Sequence, residues 1–204
     1  MKKRNLAKSQ RWVRPLHAYS SMFMLLIMLF FTVTGLTLNN RHWTPDPPLP
    51  AEVEQQLPPA LSQQLLEADH PETLAAETWQ WIREEVGLAS GELSSRWSAG
   101  EASLFLDVKR PGGYTYVEVF PEENYLWLEN QSQGWLAVLN DLHMGRYAGE
   151  AWSWFIDFSA LVMLVFTLTG FWLILFHPRR RSRTLILSGL GGTLMAGLYV
   201  WMLV

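Results

Sequence analysis

Phe31-Thr32-Val33-Thr34-Gly35 and Phe166-Thr167-Leu168-Thr169-Gly170 are two near-copies of one sequence, and each lies inside a long apolar stretch. A Leu-His pair precedes each apolar stretch, and a histidine follows each glycine by seven positions. The four histidines concerned are His17, His42, His143 and His177. Because a polar side chain in a membrane is costly without a partner, this repeat indicates two related membrane helices with functional histidines.

The apolar stretches cover residues 22–38, 152–176 and 184–204. A helix needs about 20 apolar residues to cross a hydrocarbon core of about 30 Å. The first stretch follows a basic start at Lys2, Lys3 and Arg4, but no small-x-small cleavage site follows at residues 37–40. We therefore expect three transmembrane helices, the first an uncleaved anchor.

Charge predicts the orientation of these helices. Residues 1–14 carry six Lys/Arg and no acid, and residues 177–183 carry four arginines and no acid. Residues 44–141 carry 17 Asp/Glu against four Lys/Arg. The positive-inside rule places the N-terminus and residues 178–183 in the cytoplasm, and residues 44–141 and the C-terminus outside. In a bacterium this is the inner membrane, with a periplasmic domain.

The external segment has the pattern of a small α+β domain. Residues 44–50 are a Pro-rich linker, and residues 61–68 and 71–86 are predicted helices, the second followed by Gly87. Alternating residues predict four antiparallel strands at 93–98, 103–109, 114–120 and 125–129. One face of this sheet is expected to remain solvated. The expected fold class is a three-helix membrane protein with an external helix-plus-sheet domain.

The topology sorts the histidines into two layers. Because helix 1 runs outward and helix 2 inward, His17 and His177 are expected at the cytoplasmic edge of the membrane, and His42 and His143 at the outer edge. If helix 1 continues far enough, His17, Gly35 and His42 share one face, and Gly170 shares a face with His177. His17 and His42 are 25 residues or about 37 Å apart along a helix, so they cannot bind one common ligand. The spacing from His143 to Gly170 predicts a helix break near residues 147–149, with the Leu-His end folded back along the membrane surface.

The combination of Leu16-His17, Thr34-Gly35-Leu36, an external helix-plus-sheet domain, Leu142-His143-Met144-Gly145 and Thr169-Gly170-Phe171 resembles the PepSY-associated transmembrane family. The resemblance covers most of the chain and is closest to short, three-span members. It implies bis-histidine haem b, one or two per chain, and electron transfer to ferric iron or ferric chelates in support of iron uptake. Larger relatives include reductases of ferric siderophores.

The resemblance and the repeat together give a set of candidate residues. The first candidate pair of iron ligands is His17 with His177. His143 with His42 is the second pair, for either a second haem or an entry site for ferric iron, and ligands could also come from two chains of a dimer. The other candidate cofactor contacts are Gly35, Gly170 and Arg146. The two glycines suit either a haem face or close helix packing. Arg146 suits a haem propionate or a lipid phosphate. Asp157 is a candidate for proton or cation handling, although the first turns of a helix also favour an acid.

The expected organisation is a basic N-terminus (1–15), helix 1 (16–43), a periplasmic PepSY-like domain (44–141), the Leu-His motif with helix 2 (142–177), a basic loop (178–183) and helix 3 (184–204). The third helix carries small residues at positions 189, 193 and 197, which favours helix association within the chain or in a homodimer. Nothing indicates nucleic-acid binding. A nucleotide motif is absent, so a quinol or a separate reductase must supply electrons.

Two other functions remain open from the sequence. The chain could be a non-enzymatic anchor whose PepSY-like module binds or regulates another envelope protein, or a haem-binding sensor. The anchor would tolerate loss of its histidines, and the sensor would bind haem without ferric reduction.

Overall fold

The computed structural model describes residues 2–43, 45–177 and 179–203, with side chains from Gln10 onward. Thr44, the first residue of the predicted linker, lies outside the described residues, as do Pro178 and the chain's last residue. The same holds for the side chains of the basic start at Lys2, Lys3 and Arg4.

Six helices and five strands follow one another in the part of the chain that the structure describes. In order they are α1 (Lys2–Asn39), β1 (Ala51–Gln56), α2 (Pro59–Glu67), α3 (Ala75–Val86), β2 (Glu92–Ser98), β3 (Ser103–Arg110), β4 (Gly113–Phe120), β5 (Tyr125–Ser132), α4 (Trp135–Met144), α5 (Gly149–Leu175) and α6 (Arg181–Met202). Short 3-10 helices lie at Arg41–Trp43, Pro71–Leu74 and Pro121–Glu123.

Three of the helices, α1, α5 and α6, are long and apolar enough to cross a membrane. In α1 the apolar part covers Gln10–Asn39. This confirms the prediction of three spans, and the chain is a membrane protein. By contacts it divides into two compact units, one running up to Leu29 and again from Asp157 onward, the other covering Phe30–Ile156.

The second unit contains a five-stranded antiparallel sheet in the order β1-β5-β4-β3-β2. The four predicted strands are confirmed. Strand β1 was not predicted, because its sequence Ala51-Glu-Val-Glu-Gln-Gln is polar and only Val53 and Gln55 are half-buried. Its stability comes from the ladder with β5, in which Val53 lies opposite Leu128.

Helices α2 and α3 cover one face of this sheet, as the alternation of apolar residues predicts. The buried core is formed by Leu57, Leu61, Leu65, Ala75, Trp79, Ile82, Leu104, Leu106, Val108, Val117, Val119, Leu126 and Leu128. The predicted single helix over 71–86 is instead a 3-10 turn followed by α3. Gly87 ends α3 in the left-handed region at φ 76°, as its type suggests.

Helix α4 leads from the sheet to the membrane helix α5. It ends at Met144 and is followed by Gly145, which has φ 69°; Tyr147 and Gly149 also have positive φ, 55° and 78°. The predicted helix break near residues 147–149 is therefore confirmed. The backbone N–H of Gly112 donates to Asp141 Oδ2 at 2.8 Å, which holds α4 against the β3–β4 turn.

Candidate functional site

The His17 site consists of His17 on α1 and of Phe166, Thr169 and Gly170 on α5. His17 Nδ1 lies 3.1 Å from the carbonyl oxygen of Phe166 and 3.1 Å from Thr169 Oγ1. The imidazole stacks on the Phe166 ring with centroids 4.9 Å apart and planes inclined by 9°. All of these residues belong to the first unit.

The tautomer of His17 follows from its partners. A carbonyl oxygen only accepts, so Nδ1 must carry the proton and donate to Phe166. Thr169 Oγ1 lies 2.7 Å from the carbonyl of Val165, and a hydroxyl that donates there accepts from His17. The lone pair of His17 is therefore on Nε2, which has no hydrogen-bond partner among the described residues.

The His143 site has the same composition in the second unit. It consists of His143 on α4 and of Phe31, Thr34 and Gly35 on α1. His143 Nδ1 lies 2.7 Å from Thr34 Oγ1, and its ring meets the edge of Phe31 at 5.1 Å with planes inclined by 67°. Gly35 faces the Cε1 atom of the same imidazole.

The hydroxyl of Thr34 lies 2.7 Å from the carbonyl of Phe30, one turn earlier in α1. When it donates there, it accepts from His143 Nδ1–H, and the lone pair of His143 lies on Nε2, without a hydrogen-bond partner among the described residues. One turn further along, Thr37 Oγ1 lies 2.7 Å from Asn140 Oδ1 of α4. This second contact fixes the rotation of α4 against α1.

Each Leu-His histidine therefore contacts the Phe-Thr-x-Thr-Gly segment of the other repeat. The sequence predicted His17, His143, Gly35 and Gly170 as site residues but missed Thr34, Thr169, Phe31 and Phe166. The missed residues lie inside the repeated segment itself. Their repetition beside the two glycines was the signal that could have identified them.

The two glycines face imidazoles across a helix interface. A Cβ atom on Gly170 would lie 2.9 Å from His17 Cε1, and one on Gly35 would lie 3.5 Å from His143 Cε1. Of the two roles predicted for them, the contacts match close packing, here of the imidazole ring rather than of a helix backbone.

Helix 1 does not continue to His42, so the condition for a common face of His17, Gly35 and His42 is not met. Helix α1 ends at Asn39, and His42 lies in a separate 3-10 turn, exposed and beside Trp43. Likewise α5 ends at Leu175, so His177 lies beyond the regular helix whose turns placed it on the face of Gly170. The ligand pairings themselves remain predictions.

His177 lines a cavity of about 350 Å³ in the first unit, together with Gln10, Arg14, Leu173 and Phe176. Arg146 lies in the α4–α5 turn of the second unit, where it lines a pocket on the sheet. Asp157 is exposed on the surface of α5. Among the described residues, no group of three or more His, Cys, Asp or Glu side chains could hold a metal ion.

Three membrane-spanning helices and an antiparallel sheet backed by two helices define a membrane-anchored PepSY-like protein. The sequence profile of the family described as "Putative PepSY_TM-like" matches residues 9–204. The chain therefore belongs to this PepSY-associated transmembrane family, as its sequence predicts. No curated protein and no solved structure matches the chain.

Proposed function

We propose that this protein is an inner-membrane b-type haem protein that passes electrons outward to ferric iron or ferric chelates, in support of iron uptake. One observation carries the proposal. His17 and His143 each have Nδ1 bound to a threonine hydroxyl of a neighbouring helix, and each has Nε2 without a hydrogen-bond partner among the described residues.

The donor set suits haem iron. Metal-binding histidines usually donate one ring N–H to a fixed acceptor, which sets the tautomer and orients the other nitrogen toward the metal. Thr169 and the Phe166 carbonyl do this for His17, and Thr34 does it for His143. Neutral imidazole is also the usual axial ligand of b-type haem.

When bound, haem would supply a one-electron Fe(III)/Fe(II) couple. The residues of this chain hold the imidazoles in place. Phe166 restricts the rotation of the His17 ring by stacking, and Gly170 allows the ring to approach α5. Phe31 and Gly35 do the same for His143, with an edge contact in place of the stack.

A haem iron held by either imidazole would need a second ligand, which the contacting residues Phe166, Thr169, Thr34 and Phe31 would not supply. His177, exposed at the end of α5 in the same unit as His17, remains the proposed partner of His17. His42, exposed in the second unit, remains the proposed partner of His143. A homodimer formed through the transmembrane helices is the other source of ligands.

The proposed direction of transfer follows from charge. The basic segments at 1–14 and 177–183 favour a cytoplasmic location for those ends, and under the proposal the acidic sheet domain lies in the periplasm. The net charge of residues 44–141, four cations against 17 acids, attracts iron cations. A quinol or a separate reductase supplies the electrons.

The decisive experiment is an absorption spectrum of the purified full-length protein, expressed with sufficient iron and haem. We expect a Soret band and, on reduction, split α and β bands. His17→Ala and His143→Ala should each lose or shift these bands, whereas His70→Ala, an exposed histidine of the sheet domain, should not. His42→Ala and His177→Ala test the second ligands.

Absence of a Soret band in the wild-type protein would refute the haem proposal. If haem is bound, stopped-flow oxidation of the reduced protein by a ferric chelate tests the reductase step. Haem binding without such oxidation would instead support a haem-binding sensor.

A second candidate function is a membrane-anchored module that binds or regulates another envelope protein. The observation that favours it is the sheet face opposite α2 and α3, on which Phe105, Tyr116 and Trp127 are only half-buried. Under this function the four histidines can be replaced by alanine without loss of partner binding or regulation. Deletion of residues 44–141 should abolish both.

A further inference from the structure

A pocket of about 560 Å³ lies where the solvated face of the sheet meets the α4–α5 turn, entirely within the second unit. Its lining includes Lys109, Arg110, Tyr114, Tyr116, Arg146 and Tyr147. The volume lies in the range typical of sites for small organic ligands. The proposed electron transfer does not use it.

The acids of the pocket already have donors. Asp107 pairs with Lys109 at 3.0 Å, Glu129 accepts from the hydroxyl of Tyr114, and Asp141 accepts from the backbone N–H of Gly112. Lys109 therefore neutralises Asp107, whereas Glu129 and Asp141 accept from neutral donors and keep their negative charge.

Of the three cations that line the pocket, Arg110 and Arg146 have no carboxylate partner among the described residues. Arg110 donates to Thr115 Oγ1 at 2.9 Å and to Asn130 Oδ1 at 2.7 Å, both neutral oxygens. Arg146 is exposed, and neither guanidinium forms an ion pair with any residue that the structure describes. A half-buried guanidinium without a carboxylate is unusual, because burial of an unpaired charge is costly.

The charge of this pocket also differs from that of the rest of its domain. Residues 44–141 contain only four cations, and two of them, Lys109 and Arg110, line the pocket. Arg146, from the turn after α4, adds a third. Because Asp107, Glu129 and Asp141 also line the pocket, it carries three cations and three acids, and is thus balanced in charge within an otherwise strongly acidic domain.

The phenol hydroxyls left for a ligand are those of Tyr116 and Tyr147, because the hydroxyl of Tyr114 already donates to Glu129. The hydrogen bond to Glu129 raises the pKa of Tyr114, and burial raises the pKa of Tyr116, so both phenols remain protonated near neutral pH. Tyr147 adds a ring, over which Lys109 Nζ lies at 5.9 Å from the centroid. Guanidinium groups bind carboxylates through two parallel N–H donors.

We propose that this pocket binds a small organic anion with two or more carboxylates, held by Arg110 and Arg146. The exposed pair Asp107–Lys109, with side chains 36% and 44% exposed, contributes little by itself. A ligand carboxylate can therefore also engage Lys109. The tyrosine rings and hydroxyls border the rest of the ligand.

The test is isothermal titration calorimetry on the purified full-length protein in lipid nanodiscs. The probes are tricarballylate, inorganic phosphate and the uncharged triamide of tricarballylate. We expect saturable binding of tricarballylate alone. Arg146→Gln should weaken this binding by about tenfold, the effect of about 1.4 kcal/mol, and should not change thermal unfolding, because the Arg146 side chain makes no hydrogen bond with the described residues.

The matched control is Arg96→Gln. Arg96 is an exposed cation of the same domain that does not line the pocket, and its substitution makes the same change in charge. It should leave the affinity within about twofold. Equal losses in the two variants would mean general electrostatic attraction and would overturn the proposal.

Two further results would overturn it. The first is binding of phosphate without binding of tricarballylate, because it would exclude the carboxylate class. The second is the absence of saturable tricarballylate binding in a wild-type protein with a normal thermal transition. Tyr116→Phe, which retains the ring and removes one donor, should weaken tricarballylate binding by about three- to tenfold.

Discussion

The His17 site and the His143 site use the same four residue types but hold their histidines by different means. At the His17 site the ring stacks on Phe166, Nδ1 has two acceptors and Gly170 is in very close contact. At the His143 site the aromatic contact is edge-on, the contact at Gly35 is looser, and Thr34, at 2.7 Å, is the one acceptor among the described residues.

The difference follows from the elements that carry the histidines. His17 belongs to the long helix α1 and packs directly on another long helix, α5. His143 belongs to the ten-residue helix α4, whose position also depends on the sheet through Gly112 and on Thr37 through Asn140. Close packing on α5 therefore positions His17. Hydrogen bonds and the attachment of α4 to the sheet position His143.

The largest effect is expected from Gly112→Ala, which tests the dependence of His143 on the sheet. Gly112 has φ 72°, and a Cβ there would lie 2.4 Å from Val138 Cγ2 and 2.8 Å from Val138 N. Left-handed strain and overpacking together should lower the free energy of unfolding of the domain by about 3 kcal/mol. Thermal unfolding followed by circular dichroism measures this loss.

The control for Gly112→Ala is Gly87→Ala, at φ 76° with open space around the new methyl group. It should cost about 1 kcal/mol from backbone strain alone. The ¹⁵N signals of the His143 ring should shift in Gly112→Ala, and those of His17 should not. Similar losses of stability in the two variants would contradict the dependence of α4 on this close contact.

A smaller effect is expected from Gly170→Ala compared with Gly35→Ala. The new methyl group at 170 must displace the imidazole of His17, with a cost of about 2 kcal/mol, whereas the 3.5 Å contact at 35 is ordinary van der Waals packing. Imidazole ¹⁵N NMR should show a changed His17 ring in the first variant and a nearly unchanged His143 ring in the second. The opposite order would mean that shape does not position His17.

For the threonine substitutions we expect the larger loss of stability at the His143 site. Thr34→Val leaves His143 Nδ1–H without its acceptor and should cost about 1.5 kcal/mol. Thr169→Val should cost about 0.5 kcal/mol, because His17 Nδ1 retains the carbonyl of Phe166. Stability in a mixed-micelle denaturation series and the ¹⁵N tautomer signals measure both. A larger loss for Thr169→Val would refute the assignment of acceptors.

The smallest effect is expected at alkaline pH and only in the second unit. The hydrogen bond to Glu129 raises the pKa of Tyr114 above its ordinary value of 10.0. The stabilisation is thus fully present below pH 10 and is lost as pH rises through the higher folded-state pKa. Tyr114→Phe should make the stability of the sheet domain less dependent on pH in this range, as measured by its melting temperature. An unchanged pH dependence would argue against the contribution of this bond.

The sequence predicted the membrane helices well because an apolar stretch of about 20 residues has few other stable environments. It also predicted strands β2 to β5, and in β3, β4 and β5 buried residues alternate with less buried ones. Strand β1 could not be recognised, since its pairing with β5 rather than its composition stabilises it.

The candidate site was predicted only in part. The repeat identified His17, His143, Gly35 and Gly170. The helical period, however, only shows which residues of one helix share a face. The actual partners are 149 and 152 residues apart for His17, and 109 residues apart for His143. A helical period carries no information on contacts between helices, so Thr34 and Thr169 were missed.

By itself the sequence determined the three spans, the charge asymmetry and the repeated residues, because these depend on local composition and on the solvent that surrounds each segment. The tertiary structure decided which histidine meets which threonine and glycine. That choice depends on how α1, α4 and α5 pack, because a hydrogen bond to an imidazole requires an acceptor within about 3 Å, and only packing brings one there.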